Sequence, residues 1–289
     1  MGTAVTRRLV LVHAHPDDET ITTGGTIARY VRAGVDVTVV TCTLGEEGEV
    51  IGDRWGGLVA DRADQLGGYR IGELTAALGE LGALGAGGPR FLGGAGRWRD
   101  SGMAGTPAAQ HPRAFVNAPF AEAVSALMEV LRELRPQVVV SYDPVGGYGH
   151  PDHIQAHRVC TAAVEALGAG VYRGPAKFYW TVMDAAAQDA AVATMATVPS
   201  GWRRPEPGEL SGVDPARVTT EIALDADAVA AKRWALAAHE TQVSVSDDGA
   251  LFALSNDIAQ PILDREFFVL VKGTVGASRE DDLFAGVGE

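Results

Sequence analysis

Two apolar runs joined by a helical segment do most to limit what this chain can become. Leu9-Val10-Leu11-Val12 is short, continuous and apolar, the pattern of a buried strand. The segment from Thr20 to Ala33 follows with helical spacing at Ile21, Ile27, Tyr30 and Val31. Gly34 stands where a helix ends in a left-handed residue. Val35 to Thr43 is rich in β-branched residues and reads as a second strand. Strand, helix and strand in about 35 residues form a βαβ unit, so the two strands are expected to run parallel.

The rest of the chain repeats that alternation. Val59 to Leu81 carries a helical pattern interrupted at Gly67-Gly68, with Arg70 just beyond the break, and Arg90-Phe91-Leu92 is a short strand candidate. Ala118 to Leu134 is an amphipathic helix closed by Arg135-Pro136. Gln137 to Tyr142 reads as a buried strand, a helix runs from there to about Ala169, and Phe178 to Val182 is a further strand. The expected fold is α/β: a Rossmann-like, doubly wound, mostly parallel sheet. The Pro/Gly-rich stretch from Gly201 to Gly212 is the best candidate boundary. It divides an α/β domain at 1–200 from a smaller α+β domain at 201–289. The smaller piece holds a strand from Arg217 to Ala223, a helix from Asp225 to His239 and one or two strands within Gln260 to Val271. It is expected to close over the site, and the last fifteen residues read as a loose tail.

Charge and cysteine usage narrow the partners. The 289 residues carry a formal charge of −13, which argues against nucleic acid and anionic membrane. No apolar run approaches the ~20 residues of a membrane helix. Met1 to Val10 leads directly into the first strand, with no leader peptide visible. Cys42 and Cys160 sit in apolar surroundings and make no disulfide framework, so a reduced, cytoplasmic protein is expected. The oligomeric state is left open.

Function is concentrated where the strands end. The first strand delivers His13-Ala14-His15-Pro16-Asp17-Asp18-Glu19. The strand ending at Tyr142 delivers Asp143-Pro-Val-Gly-Gly-Tyr148-Gly-His150-Pro-Asp152-His153. Carboxyl ends of strands are where open α/β sheets bind ligands. On one rim, His15, Asp18 and His153 converge as two imidazoles and one carboxylate, the donor set of a catalytic zinc with a fourth position for water. Asp17 is spare and can take a proton from that water. Tyr148 and His150 lie in a glycine-rich loop able to fold back, where they can donate to an oxyanion or protonate a leaving amine. Asp152 is expected to orient a histidine.

Plainer readings stand beside these. An Asp-rich helix cap with Pro16 near the first turn would also explain the first cluster. His13 reads as a packed or hydrogen-bonded histidine rather than a ligand. His157, four residues beyond His153, has zinc-helix spacing but lacks the HExxH glutamate, so a supporting or structural role suits it better. Tyr148 can be a loop anchor. His239 either closes over the site or caps its helix. The glutamates in Leu44 to Arg54 face substrate or solvent. The long loop from Gly93 to Thr106 lacks phosphate-cradling spacing but lies on the same rim.

With both clusters quoted, HAHPDDE at 13–19 and GHPDH at 149–153, the chain resembles the zinc-dependent LmbE-like (PIG-L) deacetylases, which remove N-acyl groups from amino sugars. GEEGEVIGDRW at 45–55, YRIGEL at 69–74, GGAGRWRDSGMAGT at 93–106 and AAHETQV at 237–243 extend the likeness over roughly residues 9 to 272. They look like the subgroup that deacetylates N-acetylglucosaminyl-inositol in mycothiol biosynthesis. The resemblance implies one Zn²⁺ per chain, with Fe²⁺ an alternative, held by His15, Asp18 and His153. It implies Asp17 as general base, and Tyr148 and His150 serving the tetrahedral intermediate and leaving group. Arg70 and Asp100 would grip the hydroxyls of a small amino-sugar inositol; the bland alternative is an ordinary structural ion pair for each, with each other as one case. An amidase for mycothiol S-conjugates and a non-catalytic sugar-binding protein are the rival readings.

Overall fold

The computed structural model describes residues 6–169, 172–276 and 278–287. Residues 1–5, part of the stretch read as lacking a leader, lie outside these. The first half alternates as expected: β1 (Arg8–His13), α1 (Asp18–Arg32), β2 (Asp36–Thr41), α2 (Leu66–Glu80), β3 (Arg90–Phe91), α3 (Phe120–Leu134), β4 (Val138–Tyr142), the short α4 (Gly146–Gly149), α5 (Pro151–Ala166) and β5 (Lys177–Val182). Then come α6 (Ala185–Thr194), β6 (Thr220–Ala223), α7 (Ala226–Ala238), β7 (Ser244–Val245), β8 (Leu251–Ala253), β9 (Gln260–Pro261) and β10 (Arg265–Lys272). The Gly67-Gly68 pair does not interrupt α2; it lies in the first turn, after a run of turns before Leu66.

One seven-stranded sheet has the order β3-β2-β1-β4-β5-β10-β6. β3, β2, β1, β4 and β5 pair in parallel, while β10 runs antiparallel to both β5 and β6. Alternation along each strand explains why the runs are apolar throughout. Leu9, Leu11, Val138 and Val140 pack on the face covered by α1, α2 and α7. Val10, Val12 and Val139 pack on the opposite face with Leu127 and Leu131 of α3 and Val159 and Ala163 of α5. From β1 the chain winds outward to β2 and β3, then crosses back to β4 and β5 on the other side. The crevice between the ends of β1 and β4 is therefore the point where the winding reverses.

The segment beyond 201 does not stand apart as its own α+β domain. β6 and β10 complete the main sheet, and only β7, β8 and β9 form a separate three-stranded antiparallel sheet. β10 occupies the edge of β5, whose backbone donors and acceptors would otherwise be open to other chains. Nor is the described part of the tail loose around residues 282–284. Leu283 and Phe284 are buried, Tyr30 of α1 donates to Asp282 Oδ1 at 2.7 Å, and the Leu283 N–H donates to the Tyr30 hydroxyl. Phe284→Ala is expected to cost about 3–5 kcal/mol, read as a lowered urea midpoint with an unchanged m-value. A midpoint shift too small to measure would mean that the tail docks without contributing to the core.

Candidate metal centre and substrate cleft

The register of β1 on β4, with Leu11 opposite Val140, sets the ends of the two strands level. The two histidine-carboxylate clusters thereby meet although they lie far apart in sequence. Asp18 opens α1, and His153 sits in the first turn of α5. His15 Nδ1 lies 3.3 Å from Asp18 Oδ2, His153 Nε2 lies 3.2 Å from the same oxygen, and the two nitrogens are 3.3 Å apart. Tetrahedral ligands about 2.0–2.1 Å from a zinc stand roughly 3.3–3.4 Å from one another, so this triangle has the dimensions of one face of such a site.

The outer partners decide which nitrogen of each ring is bare. His153 Nδ1 faces the Gly146 carbonyl at 3.2 Å; a carbonyl only accepts, so the proton sits on Nδ1 and Nε2 is free. Gly146 itself has φ 64°, and a side chain there would meet His153 Cβ. His15 Nε2 faces Asp152 Oδ2 at 3.3 Å and Asp100 Oδ1 at 3.4 Å, which puts its proton on Nε2 and leaves Nδ1 free. The Tyr142 hydroxyl donates to Asp18 Oδ2 at 2.8 Å and accepts the Ala14 N–H, and its ring stacks on His153 at 4.2 Å. Two imidazole nitrogens and one carboxylate oxygen thus stand within 3.2–3.3 Å of one another, the donor set a divalent metal takes. Burial disfavours charge on His15, but Asp100, Asp152 and Asp18 outweigh it and raise its pKa above the ordinary histidine range, so the site favours a cation at this ring and a divalent metal at Nδ1 would take the place of the second proton.

Asp17 stands beside the triangle and supplies none of its three atoms. Burial raises its carboxyl to about 6, against the pull of the Arg70 guanidinium 3.0 Å away. Its side chain does not cap α1, so the plain helix-cap reading of this residue fails. His150 is the N-cap of α5, where its Nδ1 accepts the Asp152 N–H at 3.2 Å. A neutral ring bonded that way carries its proton on Nε2. Burial, with His15 and His153 close by, lowers its pKa to about 3 and keeps it neutral. The ring stands 4.5 Å from that of His15, centre to centre. Tyr148 is 57% exposed and packs edge-on against His153 at 5.1 Å; its hydroxyl bonds to none of the described residues.

Arg70 and Asp100 do not pair with each other. Arg70 is buried and reaches Gly45 O, Pro16 O and Asp17, while its Nε has no partner. A side chain at Gly45, φ 67°, would collide with this guanidinium. Asp100 accepts the Gly102 N–H at 2.8 Å and the Glu47 N–H at 3.3 Å, besides lying against His15. Asp152 also accepts from the Ser101 N–H and hydroxyl. The glutamates of the 44–54 loop hold the neighbouring loop: Glu46 accepts the Asp100 N–H, and Glu47 pairs with Arg99. His13 is buried against Thr23, and His157 bonds the Tyr142 carbonyl; neither atom set joins the triangle.

A cavity of about 1050 Å³ opens on these groups. His15, Asp17, Asp18, Arg70, Asp100, Tyr148, His150 and His153 all contribute to its wall, and Phe252, Ile258 and Ile262 from the C-terminal segment line it too. The small sheet therefore reaches the cleft, although no motif marked β7 or β8. Tyr142 and Ser101 were also missed as functional. The signal for Tyr142 was a polar-tipped aromatic at the carboxyl end of a buried strand; Ser101 had none. Among the described residues, no helix is long and apolar enough to cross a membrane.

The chain is similar to known proteins along its whole length. Residues 10–164 match the PIG-L family model, described as GlcNAc-PI de-N-acetylase. A protein of Rhodococcus erythropolis named 1D-myo-inositol 2-acetamido-2-deoxy-alpha-D-glucopyranoside deacetylase is 60% identical over 295 residues, covering 99% of this chain and 99% of that one. A Nocardia farcinica protein of the same name is 62% identical, covering 99% and 98%. Among solved structures, the N,N'-diacetylchitobiose deacetylase from Pyrococcus horikoshii shares the fold at TM-score 0.57 and 16% identity, over 98% of this chain and 87% of that one.

Proposed function

This chain belongs to the PIG-L family, and from that premise we propose that it hydrolyses the acetamide of N-acetylglucosaminyl-inositol to acetate and glucosaminyl-inositol, a step of mycothiol biosynthesis. Identity of 60% and 62% along the whole chain to deacetylases so named is what carries the substrate. The three converging donor atoms of His15, Asp18 and His153 support one divalent metal, Zn²⁺ by donor set and triangle size, with Fe²⁺ as the alternative. A metal held by these residues would supply Lewis acidity toward water and the amide carbonyl.

The chain's own groups account for the protons. Asp17, made more basic than an ordinary carboxylate yet ionised near neutral pH, takes a proton from the attacking water. Nε2–H of His150 and the hydroxyl of Tyr148 are donors lining the same cavity, suited to the developing oxyanion and to the leaving amine. The amine leaves protonated as the C–N bond breaks, and acetate remains. Arg70 and Asp100, both in the cavity wall, the latter with lone pairs beyond its backbone bonds, are assigned to sugar or inositol hydroxyls. The acidic chain and two buried thiols, Cys42 and Cys160, support a cytoplasmic setting.

Acetate release from N-acetylglucosaminyl-inositol by the metal-loaded protein tests the proposal. Absence of release, or faster cleavage of a mycothiol S-conjugate, would overturn the substrate. Tyr148→Phe is expected to lower kcat by roughly 10- to 1000-fold with KM little altered, because a donor to the oxyanion matters in the transition state. A change confined to KM would make Tyr148 a substrate anchor.

A further inference from the structure

Asp17 has φ 108° and ψ −36°, a backbone conformation that side-chain-bearing residues rarely adopt. Such a conformation persists only where its surroundings impose it. Its N–H is held by Glu19 Oε2 at 2.9 Å. The other oxygen of that carboxylate, Oε1, accepts from His239 Nε2 at 2.9 Å and from the Thr20 hydroxyl. Glu19 and His239 are both fully buried, and neither lines the cavity. Their hydrogen-bonded link to the cleft runs through the backbone of Asp17.

His239 arrives from the end of α7, and the turn after it is pinned. Thr241 donates its N–H at 2.7 Å and its hydroxyl at 2.9 Å to Glu73 of α2. The Thr241 carbonyl accepts the Ile51 N–H at 2.8 Å. His239 Nδ1 has no partner, so Nε2 makes the ring's only hydrogen bond among the described residues.

We propose that His239 is a positioning residue: through Glu19 it holds the strained backbone of Asp17, and so the direction of the base in the cleft. The inference rests on the reading of Asp17 as the base.

The two amide isosteres of histidine separate this from a general structural role. A glutamine amide nitrogen falls near the position of Nε2, and an asparagine amide near that of Nδ1. His239→Gln should retain most of kcat, whereas His239→Asn and His239→Ala should lose about 10- to 100-fold in kcat with KM little changed. All three should bind one metal per chain by elemental analysis. In an Asp17→Asn background, His239→Ala should add no further loss, since both changes act on one group. A crystal structure of His239→Asn should show Asp17 relaxed to negative φ. Asparagine rescuing as well as glutamine, metal lost with kcat, full additive loss in the double variant, or Asp17 still near φ 108° would each overturn the proposal. If His239→Ala does not fold, the glutamine–asparagine comparison and that φ still decide. If Asp17→Asn alone leaves kcat unchanged, the base assignment fails, and the φ of Asp17 judges the brace separately.

Discussion

His153→Ala is expected to remove the metal and the activity together. His153 Nε2 is one of three donor atoms within 3.2–3.3 Å of each other, and His150 is the other imidazole whose ring nitrogen groups with those of His15 and His153. His150, the nearest imidazole, has its Nδ1 committed to the cap of α5. Losing the metal forfeits several kcal/mol of transition-state stabilisation, so kcat/KM should fall by about 10³-fold or more. The matching control is His157→Ala, one turn further along α5. That imidazole bonds the Tyr142 carbonyl at 2.9 Å and packs on Trp180, outside the triangle, so the variant should keep its metal. Elemental analysis after dialysis reads both. Full occupancy in His153→Ala, or equal metal loss in the two variants, would sink the assignment of ligands.

The second large effect is expected at Asp17. Asparagine keeps the shape, tolerates positive φ better than most residues, and can still face Arg70, but it accepts no proton. Because Asp17 supplies no atom of the donor triangle, metal should stay bound while kcat falls by about 10²–10⁴-fold. Burial makes this the natural base of the pair of adjacent aspartates. Its carboxyl is raised to about 6, whereas Asp18, despite equal burial, is held well below the usual carboxylate range by His153 and His15. An Asp17→Asn enzyme with near-normal kcat would mean that another group takes the proton.

Much of this was legible in the one-dimensional pattern, because the relevant physics is local. Apolar runs of Leu9–Val12 and Val138–Val140 report strands buried on both faces, and the helical spacing after each reports the winding. A strand end followed by a helix start places its polar residues on the ligand-binding rim, so His15, Asp18 and His153 could be named before any coordinates. Long-range pairing is a different matter. Nothing in the spacing says that β10 lies between β5 and β6, that Phe284 returns to the core beside Tyr30, or that His239 meets Glu19. Nor does it say that Asp100 and Asp152 both face Nε2 of His15, or that Arg70 takes Asp17 rather than Asp100 as its partner. Side-chain chemistry offers each of these groups several acceptable partners. Which one it meets is decided by strand order and by the cost of leaving a buried edge, charge or N–H unpaired, and those quantities exist only once the whole chain has packed.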